Sequence, residues 1–265
     1  MTMPLLMERL GDIAVLTLSR PHARNAWGDD FNDGLISILP QLEADRDVRC
    51  VILTGDEKGK AFSSGAYLAD KHTHAALEPG QFIEDLPNSR KFVSNLLSEF
   101  PKPIIAAVNG YAIGIGCIAS ASCDLVVASE KAEWRLPQVQ LGILPAYAGA
   151  ARLARLIGKG NAMRVAMGFP LDAREAHRTG LAQWLVPHED LMDHAMEVAR
   201  TIAASAPLAT RLVKESIDRG MDLPNIADAA LVDAYRFMVL QQTEDAKEAH
   251  DAWRDGRRKP EFAGR

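Results

Sequence analysis

The sequence predicts an α/β fold that gives way to helices toward its C-terminus. Three observations carry this. Short, almost wholly apolar runs such as PIIAAV (103–108) and DLVVAS (124–129) read as strands covered on both faces. Helix-like segments lie between these runs, the alternation that builds layered α/β proteins. From about residue 144 onward strand signals nearly stop while helical periodicity continues. With 265 residues, 48% of them hydrophobic and 25% charged, the chain can bury a large core in one main domain with an appendage.

In chain order, DIAVLTLS (12–19) and DVRCVILTG (47–55) read as strands, the second stopped by GDEKGK (55–60). FNDGLISILPQLEAD (31–45) reads as a helix despite Pro40. EDLPNSRKFVSNLLSEF (84–100) is a second, with Phe92, Leu96, Leu97 and Phe100 at helical spacing. AYAGAARLARLIG (146–158) ends at a glycine stop, and LDAREAHRTG (171–180) opens with Asp172 and Glu175 at capping-box spacing. Four further helices are expected, in 190–205, 207–220, 226–242 and 244–256. The composition shift divides the chain into a core, 1–200, and a C-terminal helical region, 201–265.

A net charge of −5 argues against a nucleic-acid surface, since phosphate binding needs clustered Lys and Arg. Glu8 and Arg9 interrupt the N-terminus before a signal peptide could form, and no run approaches a membrane span of about 18 apolar residues. Three cysteines, Cys50, Cys117 and Cys123, follow no metal-ligand spacing, so a reduced, cytoplasmic protein without a metal is expected.

Chemistry is concentrated at NGYAIGIGCIASASCDL (109–125), where Gly110, Gly114 and Gly116 precede a segment of small side chains. GIGCIA fits a dinucleotide fingerprint, but NGYAI separates it from the preceding strand, where a nucleotide fold needs a tight turn. Close packing of a helix on a sheet would also use small residues. A second segment, GKAFSSGAYL (59–68), likewise leaves a strand and turns at Gly65. Two glycine-hinged segments can aim backbone N–H groups at one oxygen, as in an oxyanion hole.

RPHARNAW (20–27), VILTG with KAFSSGAYL, PKPIIAAVNGYAIGIGC (101–117) with CDLVVAS, LGILPAYAGAARLARLIG (141–158), LDAREAHRTGLAQWLVP (171–187) and TEDAKEAHDAWRDGRRKPEF (243–262) occur in one order. In these motifs the chain resembles the crotonase superfamily, the enoyl-CoA hydratase/isomerase family, over essentially its whole length. The resemblance implies a crotonase-like spiral of ββα turns with a C-terminal helical trimerisation region, a homotrimer or dimer of trimers. It also implies an acyl-CoA thioester as ligand, with no separate cofactor because coenzyme A enters as part of the substrate. Carried over by position, the oxyanion donors are the backbone N–H groups of Ala66 and Ile115.

The resemblance places two catalytic glutamates of family hydratases at Ile118 and Gln138. Isoleucine transfers no proton, and a glutamine amide orients water but is no general base near neutral pH. Each missing acid or base typically costs about 10²- to 10⁴-fold. The chain is therefore expected to be a poor standard hydratase, and Ala146 stands where family dehalogenases carry an aspartate.

Tyr67 and Tyr147 are candidate proton donors or aromatic walls of an acyl pocket that also includes Gly114 and Ile118. His72 and His74, in a loop-like stretch with Asp70, Glu84 and Asp85, are candidates for acid–base work or a solvated surface. For the coenzyme, the resemblance implies Arg24, Ala26, Lys60 and Ala61, with Lys71, Trp253 and Arg257 as further candidates. Three functions remain open: a lyase, isomerase or thioester/C–C hydrolase using the hole; an acyl-CoA binding protein without turnover; and a nucleotide-dependent oxidoreductase.

Overall fold

The computed structural model describes residues 4–67, 92–257 and 259–265. β1 (Leu5–Leu10) and β2 (Ile13–Leu18) pair antiparallel around Gly11, whose φ of +67° permits the tight turn. α1 (Asp29–Ala44) buries Phe31, Leu35, Leu39 and Leu42 along one stripe, and this burial carries the helix past Pro40.

Three passes then repeat one pattern. β3 (Cys50–Gly55) leads to β4 (Ala61–Ser63), and α2 (Val93–Ser98) precedes the next pass. β5 (Ile104–Val108) leads to β6 (Tyr111–Ile113) and α3 (Ile115–Ala121). β7 (Leu125–Ser129) leads to β8 (Glu133–Arg135) and, through a 3₁₀ turn at Pro137–Leu141, to α4 (Gly149–Ala166). Each pass gives one strand to each of two sheets, which is the expected spiral of ββα turns. After β9 (Leu171–Asp172), α5 (Ala173–Thr179) and β10 (Trp184–Val186), the sheet orders are β1-β2-β3-β5-β7-β10 and β4-β6-β8-β9. Among the described residues, only the β1–β2 and β8–β9 pairs are antiparallel.

The central strands are covered on both faces, as their unbroken apolar runs require. Val51 and Leu53 of β3 face the main core with Phe31, Phe62 and Trp134. Cys50 and Ile52 face the opposite side, where α6 (Leu191–Ala203) lays down Leu191, Ala195, Ala199 and Ala203. Position 200 therefore falls inside a helix packed on the sheet, and the change in packing comes only after Ala203. α7 (Pro207–Gly220), α8 (Ile226–Leu240) and α9 (Glu244–Arg254) complete the four expected C-terminal helices.

Several expectations are corrected in detail. NGYAI, which separates GIGCIA from the strand before it, contains a strand of its own, Tyr111–Ile113 of the second sheet. Strands also persist beyond residue 144, at β9 and β10, each too short to show a period. Gly158, at φ +77° and ψ 156°, kinks α4 rather than ending it. The capping reading at Asp172 stands: its carboxylate accepts the Glu175 N–H at 2.8 Å, while the Glu175 side chain turns instead to Arg164.

Candidate active site

The floor of the site is backbone. β4 and β6 lie side by side, Ala61 opposite Tyr111 and Ser63 opposite Ala112, so the residues that follow them emerge together. Gly65 (φ +104°) and Gly114 (φ +55°, ψ −116°) turn the two chains toward each other. A Cβ on Gly114 would lie 3.8 Å from Gly65 Cα, and one on Gly65 would lie 3.3 Å from the Ile113 carbonyl oxygen. Gly116 seats α3 on β4, for a Cβ there would be 2.6 Å from the Ser63 carbonyl oxygen.

Ala66 is held by Trp27, whose N–H donates to Gly65 O at 2.7 Å and whose carbonyl accepts from Tyr67 N at 2.8 Å. The Gly114 N–H donates to Arg135 O at 2.9 Å. Among the described residues no backbone acceptor takes the N–H of Ala66, nor that of Ile115, the first residue of α3. The two expected donors thus each follow one of two neighbouring glycines, and neither gives its hydrogen to a described backbone acceptor.

The wall is built of side chains. Gln138 leaves the 3₁₀ turn after β8 with its Nε2 3.4 Å from a Cβ position on Gly114. Its Oε1 is buried and takes no hydrogen bond from the described residues. Ile118, one turn into α3 and 2% exposed, fills the space under the start of α4, where a Cβ on Gly149 would be 2.7 Å from its Cγ1. It belongs to the main core, so this position is committed to packing.

Tyr147 stands in the turn before α4 with a left-handed backbone, φ +57°, and its ring centroid lies 4.4 Å from that of Phe92. The residue is 36% exposed, and its partial burial, with the Asp29 carboxylate nearby, raises its phenol above the ordinary 10.0, so it stays protonated near neutrality and is no general base. Phe92, anticipated only as a helical apolar residue, is a wall residue because Tyr147 rests on it. Tyr67 belongs to a different stack: its ring lies 4.3 Å from the Arg20 guanidinium and edge-on to His22 at 6.5 Å. Among the described residues, no ring contact joins the two tyrosines.

Arg24 and Lys60 line a cleft of about 360 Å³ with Pro21, His22, Lys58, Gly59 and Tyr111. Ala26 and Ala61 are buried at 6% and 0% exposure. Asn25 joins these segments, donating to Asp56 O at 2.9 Å and to Ala61 O at 2.7 Å. Trp253 is 85% exposed on α9, and Arg257 is held by Glu248 at 2.6 and 3.2 Å; neither lines this cleft. Lys71, His72, His74, Asp70, Glu84 and Asp85 lie outside the described residues. Burial pushes the Cys50 and Cys117 thiols up to about 12, which excludes thiolate chemistry there near neutrality. No helix among the described residues is long and apolar enough to cross a membrane.

The family described as enoyl-CoA hydratase/isomerase matches residues 8–265. A short-chain-enoyl-CoA hydratase of Clostridium acetobutylicum is 36% identical over 261 residues, 98% of each chain. A 2,3-dehydroadipyl-CoA hydratase of Escherichia coli is 33% identical over 265 residues, 98% of this chain and 99% of the relative. The crystal structure of an enoyl-CoA hydratase from Bacillus anthracis superposes with a TM-score of 0.89 at 29% identity, covering 99% of this chain and 100% of that one.

Proposed function

The chain belongs to the enoyl-CoA hydratase/isomerase family, and from that premise we propose an acyl-CoA enzyme whose Ala66 and Ile115 N–H groups receive the thioester oxygen as it becomes negative. The observation that carries this reading is the close approach of the Gly65 and Gly114 turns beside two N–H groups that no described backbone acceptor takes. A thioester carbonyl placed between them loses electron density to its oxygen. The neighbouring α-carbon becomes more acidic, and an enolate is stabilised.

The acid–base groups are where this chain departs from an ordinary hydratase. Ile118 is locked under Gly149 and carries no proton. Gln138 offers an unspent buried acceptor, suited to fixing a water or a substrate hydroxyl but not to taking a proton. Hydration of a 2-enoyl thioester is therefore slow, and the reaction uses a group other than two carboxylates. Tyr147, its phenol pushed above the ordinary 10.0 by burial, is the described side chain we assign to that role.

The cleft beside Arg24, Lys58 and Lys60 suits the phosphates of coenzyme A, with the acyl group lying toward Gly114. Assembly into a trimer is part of the proposal. Supporting it, Ile217, Ile226, Tyr235 and Phe237 on α7 and α8 are 59%, 84%, 63% and 61% exposed in the single chain. A cytoplasmic place is supported by three unpaired thiols.

The test is mass spectrometry of butyryl-CoA incubated with the protein in D₂O. Deuterium at the α-carbon above the no-protein rate is the expected result. A second reading, an acyl-CoA binding protein without turnover, is favoured by the packing of Ile118. Binding in the same sample without exchange would select it, or a hydrolase acting at the carbonyl.

A further inference from the structure

A side-chain chain on the far edge of the large sheet remains unexplained by the proposed reaction. His188 follows β10, at one end of the strand order, while Glu57 follows β3, with β5 and β7 between them. His188 Nε2 and Glu57 Oε1 are 2.7 Å apart. On its other side, His188 Nδ1 lies 2.9 Å from Ser129 Oγ, at the end of β7. Asn109, at the end of β5, donates to Glu57 Oε2 at 3.2 Å. All four strands of this part of the sheet are thus tied together at their C-terminal ends.

The order Ser–His–Glu suggests a nucleophile, and burial rejects it. Ser129 is fully buried, and its Oγ already accepts the Lys131 N–H at 3.1 Å, so no substrate reaches it. Assigning the hydroxyl proton to Nδ1 leaves the imidazole N–H on Nε2, facing Glu57, and satisfies all three groups.

The chain ends at the segment that carries the cleft. Glu57, Lys58 and Gly59 form a single 3₁₀ turn closed by Lys60, which is left-handed at φ +52°. The inner side of this turn is fixed by Asn25, whose amide would be 2.6 Å from a Cβ on Gly59. The Asp56 carboxylate caps the turn by accepting the Lys58 N–H at 3.0 Å, and Glu57 ties it to the ends of β5 and β10. Lys58 and Lys60 both line the cleft, so the set of this turn decides where their backbone stands.

We propose that His188 is a positioning residue for the coenzyme cleft, acting through Glu57 to hold the Glu57–Lys60 turn and so aim Lys58 and Lys60 at the phosphates of the ligand. This rests on the reading of the cleft as a coenzyme A site. His188 touches no ligand itself, and its effect belongs to the nucleotide end of the thioester rather than to the reacting carbonyl.

Calorimetry with coenzyme A, and competition by acetyl-pantetheine, which lacks the nucleotide, separate the possibilities. His188→Ala should weaken coenzyme A about fivefold, the net worth of one ordinary hydrogen bond, and leave acetyl-pantetheine unchanged. Glu57→Ala should reproduce this from the exposed end of the pair. Glu57→Gln, which keeps an acceptor for the Nε2 hydrogen, should bind at least as well as wild type. Unaltered coenzyme A affinity in both alanine variants overturns the proposal, and so does equal weakening of both ligands. Failure of the wild-type protein to bind coenzyme A at all strikes the reading of the cleft instead.

Discussion

The floor and the wall of the site are built by opposite means. The floor is main chain, made of Gly65, Ala66, Gly114, Ile115 and Gly116, and its geometry follows from the absence of side chains. The wall, Ile118, Gln138 and Tyr147, depends on which side chains are present. An N–H donor survives any substitution that leaves the backbone in place, whereas an acid–base group vanishes with one atom. On the proposed reading, a chain of this family can keep its backbone donors while its proton chemistry drifts, and this one has a fitted isoleucine and an amide where the resemblance implies glutamates. If the proposed hole acts on the thioester, the floor specifies the ligand's reacting atom and the wall specifies what is done to it.

The largest effect should come from breaking the floor. In Gly116→Ala the new methyl would meet the Ser63 carbonyl oxygen at 2.6 Å, and neither partner is a flexible side-chain end. α3 must lift from β4, at a cost of about 1–3 kcal/mol for overpacking. The Ile115 N–H is displaced with it, and loss of one oxyanion donor lowers turnover about 10²- to 10³-fold. A lower Tm together with such a fall in α-deuteration is the expected pair. Deuteration at the wild-type rate would show that the donors do not act on the carbonyl.

Changing the wall should have a smaller effect and the opposite sign. Gln138→Glu places a carboxylate where Gln138 Oε1 now lies buried and unpartnered, near Gly114. Restoring one positioned base should raise crotonyl-CoA hydration about 10²-fold, the lower end for general acid–base catalysis. Ile118 remains, so the second carboxylate is still missing. Hydration that stays at the wild-type level, with acyl-CoA binding retained, would mean that Gln138 lies off the path of the water.

Much of this division was legible in the sequence. PIIAAV and DLVVAS declare strands buried on both faces because no polar residue interrupts them, and the glycines of 110–116 announce a close approach. What the approach was to stayed hidden, since Ser63 and Gly116 are neighbours only through the pairing of β4 with β6. Strand β6 was missed because its three residues alternate between an exposed Tyr111 and a buried Ala112, too short a stretch to establish a period. The Phe92–Tyr147 contact and the His188–Glu57 pair were also hidden, joining residues 55 and 131 positions apart. Gly149 read as a small residue in a helix, and only the structure shows that it is small for Ile118.

The smallest effect tests whether Tyr147 is chemistry or wall. Tyr147→Phe keeps the ring against Phe92, at a centroid distance of 4.4 Å in the wild type, and removes only the hydroxyl. If the phenol merely shapes the pocket, exchange and Km should shift no more than the few-fold expected for one neutral hydrogen bond. If it delivers the proton, kcat should fall about 10²-fold while affinity for coenzyme A is kept. A pH series gives an independent reading. The folded-state pKa is raised, so above the ordinary value of 10.0 the unfolded chain loses the proton first. Stability that Tyr147 contributes is thus fully present below that pH and declines above it, a decline that Tyr147→Phe should lack. Equal alkaline losses in the two proteins would show that the hydroxyl faces water, which would also remove it as a donor shielded within the site.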